Sequence, residues 1–308
     1  MTYNLLLDTA ERVFTDHCTK GLRDNAESGV KDDQHGLFPE DLWTVIQETG
    51  LHQVGGDDSG TTLGDAFRMI RLAGKFALPL PYPEILISNR FVKGRGLTTV
   101  AEGAIAPWAR CAERVITDDG QLVDEFDVVQ GANLAGEPRD EIVFEHSESV
   151  ELPPNFRAIM AMTRVAAMSG ALEKLLELTI SYVGERKQFG RPISGFQAIQ
   201  HSVARMAGEV AASMRASDAA IEALDTERFV IQVSAAKVRV GEAAGIVTEI
   251  AHQAHGAMGF THEHELHHYT RRLWAWRDEY GHEKEWQQII GRHIASVGAD
   301  HLWAMISD

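Results

Sequence analysis

Apolar residues return every three or four positions over long stretches of the chain, and that period predicts a mainly helical protein. Leu5, Leu6, Ala10, Val13 and Phe14 keep to one helical face, and Leu42, Trp43, Val45, Ile46 and Leu51 to another. The second helix opens at Phe38-Pro39-Glu40-Asp41, where proline suits a first turn and the acids suit its dipole, and it stops at Gly50. Ser59 to Gly64 introduces a third helix through Ala66, Phe67, Ile70, Leu72 and Ala73. After it, the three prolines in ALPLPYPE, from Ala77 to Glu84, predict extended chain.

The period changes between residue 101 and about 155. Asp119-Gly120 lies between two β-prone runs, RVIT and QLVDEFDVV, and reads as a hairpin turn, while DEIVFEHSESVEL reads as one further strand. Pro153-Pro154 ends this stretch. From Phe156 a helical face runs through Ile159, Met160, Val165, Leu172, Leu175, Leu176 and Ile180 to Arg186. Helices follow from about Ser194 to Leu224, Glu227 to Met258, Glu263 to Trp276 and Glu283 to Val297. Short connections between long helices predict a bundle with antiparallel neighbours. The expected organisation is therefore an amino-terminal helical domain (1–100), a reduced β segment (101–154) and a carboxy-terminal helical bundle (155–308).

Charge narrows the partners. The 308 residues carry 29 Lys and Arg against 45 Asp and Glu, a net charge of −16, so a nucleic-acid or anionic-membrane surface is not expected. No apolar run approaches the roughly 20 residues that span a bilayer, and a soluble, cytoplasmic protein is expected. Cys18 and Cys111, the only cysteines, make neither a disulfide framework nor a Cys-based metal site.

The stretch ERKQFGRPISGFQAIQH, Glu185 to His201, interrupts two long helical patterns. Gly190 permits a tight exit from the first helix, Pro192 prevents its continuation, and Ser194 is placed to cap the next. Arginine and glutamine are thereby set at helix ends, an arrangement that also fits an ordinary helix hairpin with a solvated arginine.

The string GERKQFGRPISGFQAIQHSVARMA resembles the signature of the acyl-CoA dehydrogenase family, flavoenzymes that desaturate acyl-CoA thioesters. AAKVRVGEAAGIVTEIAHQAHGAMGFTHEHELHHYTRR resembles the family's following helix, its glycine-rich flavin loop and the arginine beyond it. The likeness covers residues 155 to 308 and, more weakly, LWTVIQETGL and ALPLPYPEILIS of the amino-terminal part. It implies an acyl-CoA dehydrogenase-like fold that binds FAD, with an acyl-CoA as substrate and an electron-transferring flavoprotein as electron acceptor.

On that resemblance Arg186 corresponds to the arginine paired with the FAD pyrophosphate, usually of a neighbouring subunit. Phe189, Phe196 and Gln197 line the flavin edge, and Gln253 with the turn from Gly256 through Ala257 contacts the adenosine half. Ala257 stands where the family usually has a second glycine. The family's catalytic glutamate occupies one of two places. The first falls on Met160; the second falls on Tyr280, with Glu279 adjacent as the candidate catalytic residue. The alternative is that Glu279 is a surface acid.

The stretch from 101 to 154 is shorter than the family's middle β-domain and lacks a Thr-Glu-Pro-Gly-like stretch. In this the chain resembles the shortened subunits of heteromeric bacterial steroid-type acyl-CoA dehydrogenases. A longer homologous partner, in an α2β2 heterotetramer, would then share the FAD and supply the base. The alternatives are a self-sufficient homotetramer using Glu279 and a non-catalytic helical scaffold. His264-Glu265-Leu266-His267-His268 also matches the His-Glu-x-x-His pattern of zinc hydrolases, with His252, His255 and His262 nearby, but the family resemblance accounts for this junction and no metal is expected.

Overall fold

The computed structural model describes residues 3–27, 36–92 and 96–298, so the two ends of the expected 1–308 organisation lie outside the described residues. The amino-terminal helices are α1 (Tyr3–His17), α2 (Lys20–Ala26), α3 (Glu40–Glu48), α4 (Leu63–Lys75) and α5 (Tyr82–Ser88). On α1 the buried stripe is Leu6, Ala10, Val13 and Phe14, whereas Leu5 is exposed. Helix α4 begins at a reciprocal cap: the Asp65 N–H donates to Thr62 Oγ1, and the Thr62 N–H donates to the Asp65 carboxylate.

Two differences from the sequence expectation stand out here. Helix α2 is seven residues long and too polar to show a period; Thr19 caps it by accepting from the Leu22 N–H. The proline-rich stretch is not extended: it turns at Ala77, φ 46°, and bends at Pro79-Leu80, and α5 then starts with Pro83 in its first turn, where no amide donor is needed.

Seven short strands follow: β1 (Thr98–Val100), β2 (Ile105–Pro107), β3 (Arg114–Ile116), β4 (Gln121–Val123), β5 (Asp127–Val129), β6 (Arg139–Val143) and β7 (Glu148–Ser149). They form two sheets, in the orders β1-β3-β4-β7 and β2-β6-β5. The Asp119-Gly120 turn joins β3 to β4 with Val115 opposite Val123, as its sequence requires, and Gly120 has φ 86°. The run expected as one strand is split into β6 and β7, which belong to different sheets. Ala101, Ala106, Ala109, Val115 and Ile142 make a small core of their own beneath these strands.

The main core lies around α6 (Phe156–Glu185), whose first half is buried on all sides from Ala158 to Leu172. It packs on α4, on α7 (Gln197–Glu222), on α8 (Phe229–His255) and on α9 (Leu266–Asp278), while α10 (Glu283–Val297) packs on α8. Ile180, assigned above to the buried face, is half exposed near the far end of α6.

Helices α4 and α6 touch backbone to backbone. A Cβ on Gly74 would sit 2.0 Å from the Ala167 carbonyl oxygen, and one on Gly170 would sit 1.9 Å from that of Arg71. Only glycine fits at either place. That contact holds the amino-terminal helices against the bundle and fixes where α5 and its Glu84 meet α6.

Candidate active site

The break after α6 is a two-residue hairpin. Lys187-Gln188 (β8) pairs antiparallel with Arg191-Pro192 (β9), and Phe189 and Gly190 form the turn with φ 51° and 79°. Arg186 follows the last helical residue with extended backbone and is clamped at both ends: its N–H donates to the Tyr182 carbonyl, and its carbonyl accepts from Ile193 N–H at 2.8 Å. Ser194 does not cap α7. It lies in a single tight turn, Ile193–Gly195, and Phe196 precedes the helix without a side-chain cap.

Arg186, Phe189 and Phe196 meet Gln253, Gly256 and Ala257 in one groove of about 530 Å3, which Tyr182, Ile193 and His255 also line. Gln197 opens α7 on the exposed side and is not among the groove-lining residues. The Arg186 guanidinium has no acidic partner among the described residues. Phe189 is 91% exposed, so the aromatic wall is turned outward rather than buried in this chain. Gly256 ends α8 with φ 58° and ψ −139°, a conformation that favours glycine, while the Ala257 methyl faces the groove.

Histidines brace the floor. The His255 ring stacks on Tyr182 at 4.3 Å between centroids, and the His252 ring lies between Phe260 and Trp274. Burial lowers the pKa of both imidazoles, and neutral rings stack in a partly apolar setting at less desolvation cost. An open groove with apolar rings along one side and an unpaired guanidinium at a helix end suits a flat aromatic group carrying an anionic tail.

Glu279 follows α9 away from this groove. It lines a second cavity of about 350 Å3 with Glu102, Ile105, Pro107, Arg139, Arg164 and Tyr280. Its carboxylate accepts from Arg139 Nε at 3.0 Å and Arg139 Nη2 at 3.1 Å, and from Arg164 Nε at 2.5 Å. Burial would raise its pKa, but the two guanidinium groups outweigh burial and hold it down at about 2. A carboxylate so stabilised is a weak proton acceptor. Met160 and Tyr280 are themselves buried, and neither can accept the proton as a carboxylate.

The residues around Glu279 give no local signal in the sequence. Arg164 on α6 also binds Glu84 of α5 at 2.5 Å, and Arg139 on β6 reaches Glu137. Arg272 on α9 binds Glu137 at 3.0 Å and also pairs with Glu27, which in turn accepts from His268. Glu102 differs from the other acids of the cavity: burial raises its carboxyl pKa, with the Tyr280 N–H as a partner acting the other way. Its raised pKa and its place in the cavity lining make it the second carboxylate of interest.

The His-Glu-x-x-His histidines are not a pair one turn apart on a helix. His264 lies before α9, where its Nδ1 accepts from the Leu266 N–H at 3.1 Å and its ring meets Tyr182 and His255. His268, one turn into α9, faces Glu27 and Asp24 instead.

Residues 157–293 match the profile of the acyl-CoA dehydrogenase C-terminal domain. Over 265 residues the chain is 27% identical to the acyl-CoA dehydrogenase IpdE2 of Mycobacterium tuberculosis, an alignment covering 76% of this chain and 80% of that protein. It is 36% identical over 107 residues to the bovine mitochondrial short/branched chain specific acyl-CoA dehydrogenase, covering 34% of this chain and 25% of the relative.

Among solved structures, a chain of the ChsE4-ChsE5 complex from M. tuberculosis superposes with a TM-score of 0.78 at 17% identity, covering 96% of this chain and 98% of that one. A chain of the Tcur3481-Tcur3483 steroid ACAD gives 0.79 at 20% identity, with the same coverage. These likenesses show a common fold. Residues 157–293 therefore match an acyl-CoA dehydrogenase C-terminal domain, and the chain shares the fold of these solved structures.

Proposed function

We propose that this chain is the shorter subunit of an FAD-dependent acyl-CoA dehydrogenase, sharing its flavin with a longer homologous partner that supplies the catalytic base. The observation that carries the proposal is the state of Glu279, whose carboxylate is held ionised by Arg139 and Arg164, while on the family resemblance the two base positions fall on Met160 and Tyr280, neither of them an acid. The outward-facing Phe189 and the open groove supply the complementary argument, since a flavin held here needs a second wall.

The groove residues fit the cofactor. Arg186 would donate its fork of N–H groups to the pyrophosphate, Phe189 and Phe196 would flank the flavin edge, and Gln253 with the Gly256-Ala257 turn would meet the adenosine half. FAD, when bound, supplies the hydride acceptor of a desaturation reaction. The contribution of this chain is to bind and orient, while burial of the rings between subunits excludes water.

A bulky acyl-CoA, such as a steroid side-chain ester, is the proposed substrate, supported by the steroid ACAD among the structural neighbours. The assembly is proposed as an α2β2 heterotetramer that passes electrons to an electron-transferring flavoprotein. The test is the visible absorption spectrum of the chain purified alone and after co-expression with a longer acyl-CoA dehydrogenase. Flavin bands in the complex only are expected. Stoichiometric flavin in the chain alone would replace this reading with the self-sufficient enzyme, and flavin in neither would favour the scaffold.

A further inference from the structure

Asp24, on α2, and His267 and His268, on α9, turn one ligand atom each toward a common point, and these atoms all lie within 4.8 Å of one another. Asp24 Oδ1 is 3.1 Å from His268 Nε2 and 3.9 Å from His267 Nε2. Lys20 holds the other Asp24 oxygen at 2.7 Å and so fixes Oδ1 toward the rings.

Hydrogen bonds behind the rings settle which nitrogen faces this point with a lone pair. His267 Nδ1 is 2.7 Å from the His264 carbonyl oxygen, which can only accept. His268 Nδ1 is 2.7 Å from the Glu27 carboxylate, which pairs with the Arg272 guanidinium and so, as a carboxylate, only accepts. Both Nδ1 atoms therefore carry the proton, and in the neutral rings both Nε2 atoms present lone pairs. His268 is fully buried, and its Nε2 has no hydrogen-bond partner. At 3.1 Å it faces a carboxylate oxygen, so two electron-rich atoms oppose one another with nothing positive between them.

We propose that Asp24, His267 and His268 bind one divalent transition-metal ion of the zinc class. Two imidazoles and a carboxylate form an N2O donor set suited to such an ion, and they leave at least one position for water. The supporting shell is already in place, because a ligating histidine usually donates its other N–H to a carboxylate or carbonyl, as both do here. A metal in this position departs from the expectation that the chain holds none. The competing arrangement is a protonated His268 between Glu27 and Asp24. The geometry opposes that arrangement, because the Nε2 of the fully buried His268 makes no hydrogen bond to Asp24 although its oxygen is 3.1 Å away. The ion would pin the seven-residue α2 to the start of α9.

The test uses full-length, tag-free protein freed of metal by chelator and titrated with zinc chloride, followed by elemental analysis and thermal melting. One equivalent per chain and a raised melting temperature are expected, with binding weakened tenfold or more in Asp24→Asn and His267→Gln. Cobalt chloride should give visible d–d bands that the same variants lose. Asp24 is partly exposed, so its variant is expected to fold even if a buried histidine variant does not. Absence of stoichiometric zinc would overturn the proposal, as would zinc or cobalt bound equally well by both variants.

Discussion

Arg139 and Glu279 meet side on: Nε lies 3.0 Å from Oε1 and Nη2 lies 3.1 Å from Oε2, so the guanidinium fork of a β-strand grips the carboxylate that follows α9. Arg164 approaches the same carboxylate from α6. Three parts of the chain thus converge on one acid, which explains both its low pKa and its poor suitability as a base.

Removal of that acid is expected to affect stability more than chemistry. Glu279→Ala leaves two largely buried guanidinium groups facing each other, and loss of about 3–5 kcal/mol is expected in urea unfolding. The sign with pH follows from the depressed pKa: the stabilisation is complete above about pH 4.5 and is lost as pH falls toward 2. Acid unfolding of Glu279→Ala should therefore be flatter over this interval than that of the unaltered chain.

Turnover of the co-purified complex separates the two carboxylates of the cavity. If the partner supplies the base, Glu279→Gln and Glu102→Gln each keep kcat within about threefold, because a general base contributes roughly 100-fold or more. A 100-fold loss in Glu102→Gln would place the base in this chain, at the acid whose pKa burial raises.

Arg186→Ala should weaken flavin retention by the complex without disturbing the fold, since its guanidinium has no acidic partner among the described residues. Loss of a charge-assisted hydrogen bond of about 1.5–3 kcal/mol corresponds to a roughly 10- to 100-fold higher Kd for FAD. Fluorescence titration of the deflavinated complex reads that change. Unaltered affinity would support the scaffold alternative.

Gly170→Ala tests the contact between α4 and α6. Its methyl would meet the Arg71 carbonyl at 1.9 Å, where backbone must move, so a destabilisation of about 1–3 kcal/mol or more is expected. Gly184→Ala, on the same helix but with open space around it, is expected to be neutral or stabilising.

The helices were legible because burial imposes a period on them, and α4, α6, α7 and α8 all fall where apolar spacing places them. The Asp119-Gly120 hairpin was legible because only a few residues tolerate its backbone. Helix α2 was not, since a short polar helix held by a cap and by tertiary ion pairs has no apolar stripe to read. The clamp on Glu279 was equally hidden: Arg139 and Arg164 stand 140 and 115 residues away, and no local pattern marks a charge that is buried because a distant one awaits it. The groove proposed for the flavin has its parts in two contiguous motifs, so the residues that line it could be read together from the sequence. Gln197, from the first motif, nonetheless points elsewhere once α7 begins one residue after Phe196.

The same ionic chain bears on the order in which the protein can mature. Glu84 and Glu27, near the beginning, find their guanidinium partners on α6 and α9, and the run is closed only by Glu279. During synthesis the amino-terminal helices leave the ribosome before those partners exist: Glu84 stays hydrated until Arg164 of α6 is made, and Glu27 until His268 and Arg272 of α9 are made in the last third of the chain. Docking of α2 is therefore a late event, and a nascent chain halted before residue 268 should present α2 to proteases that the finished protein resists.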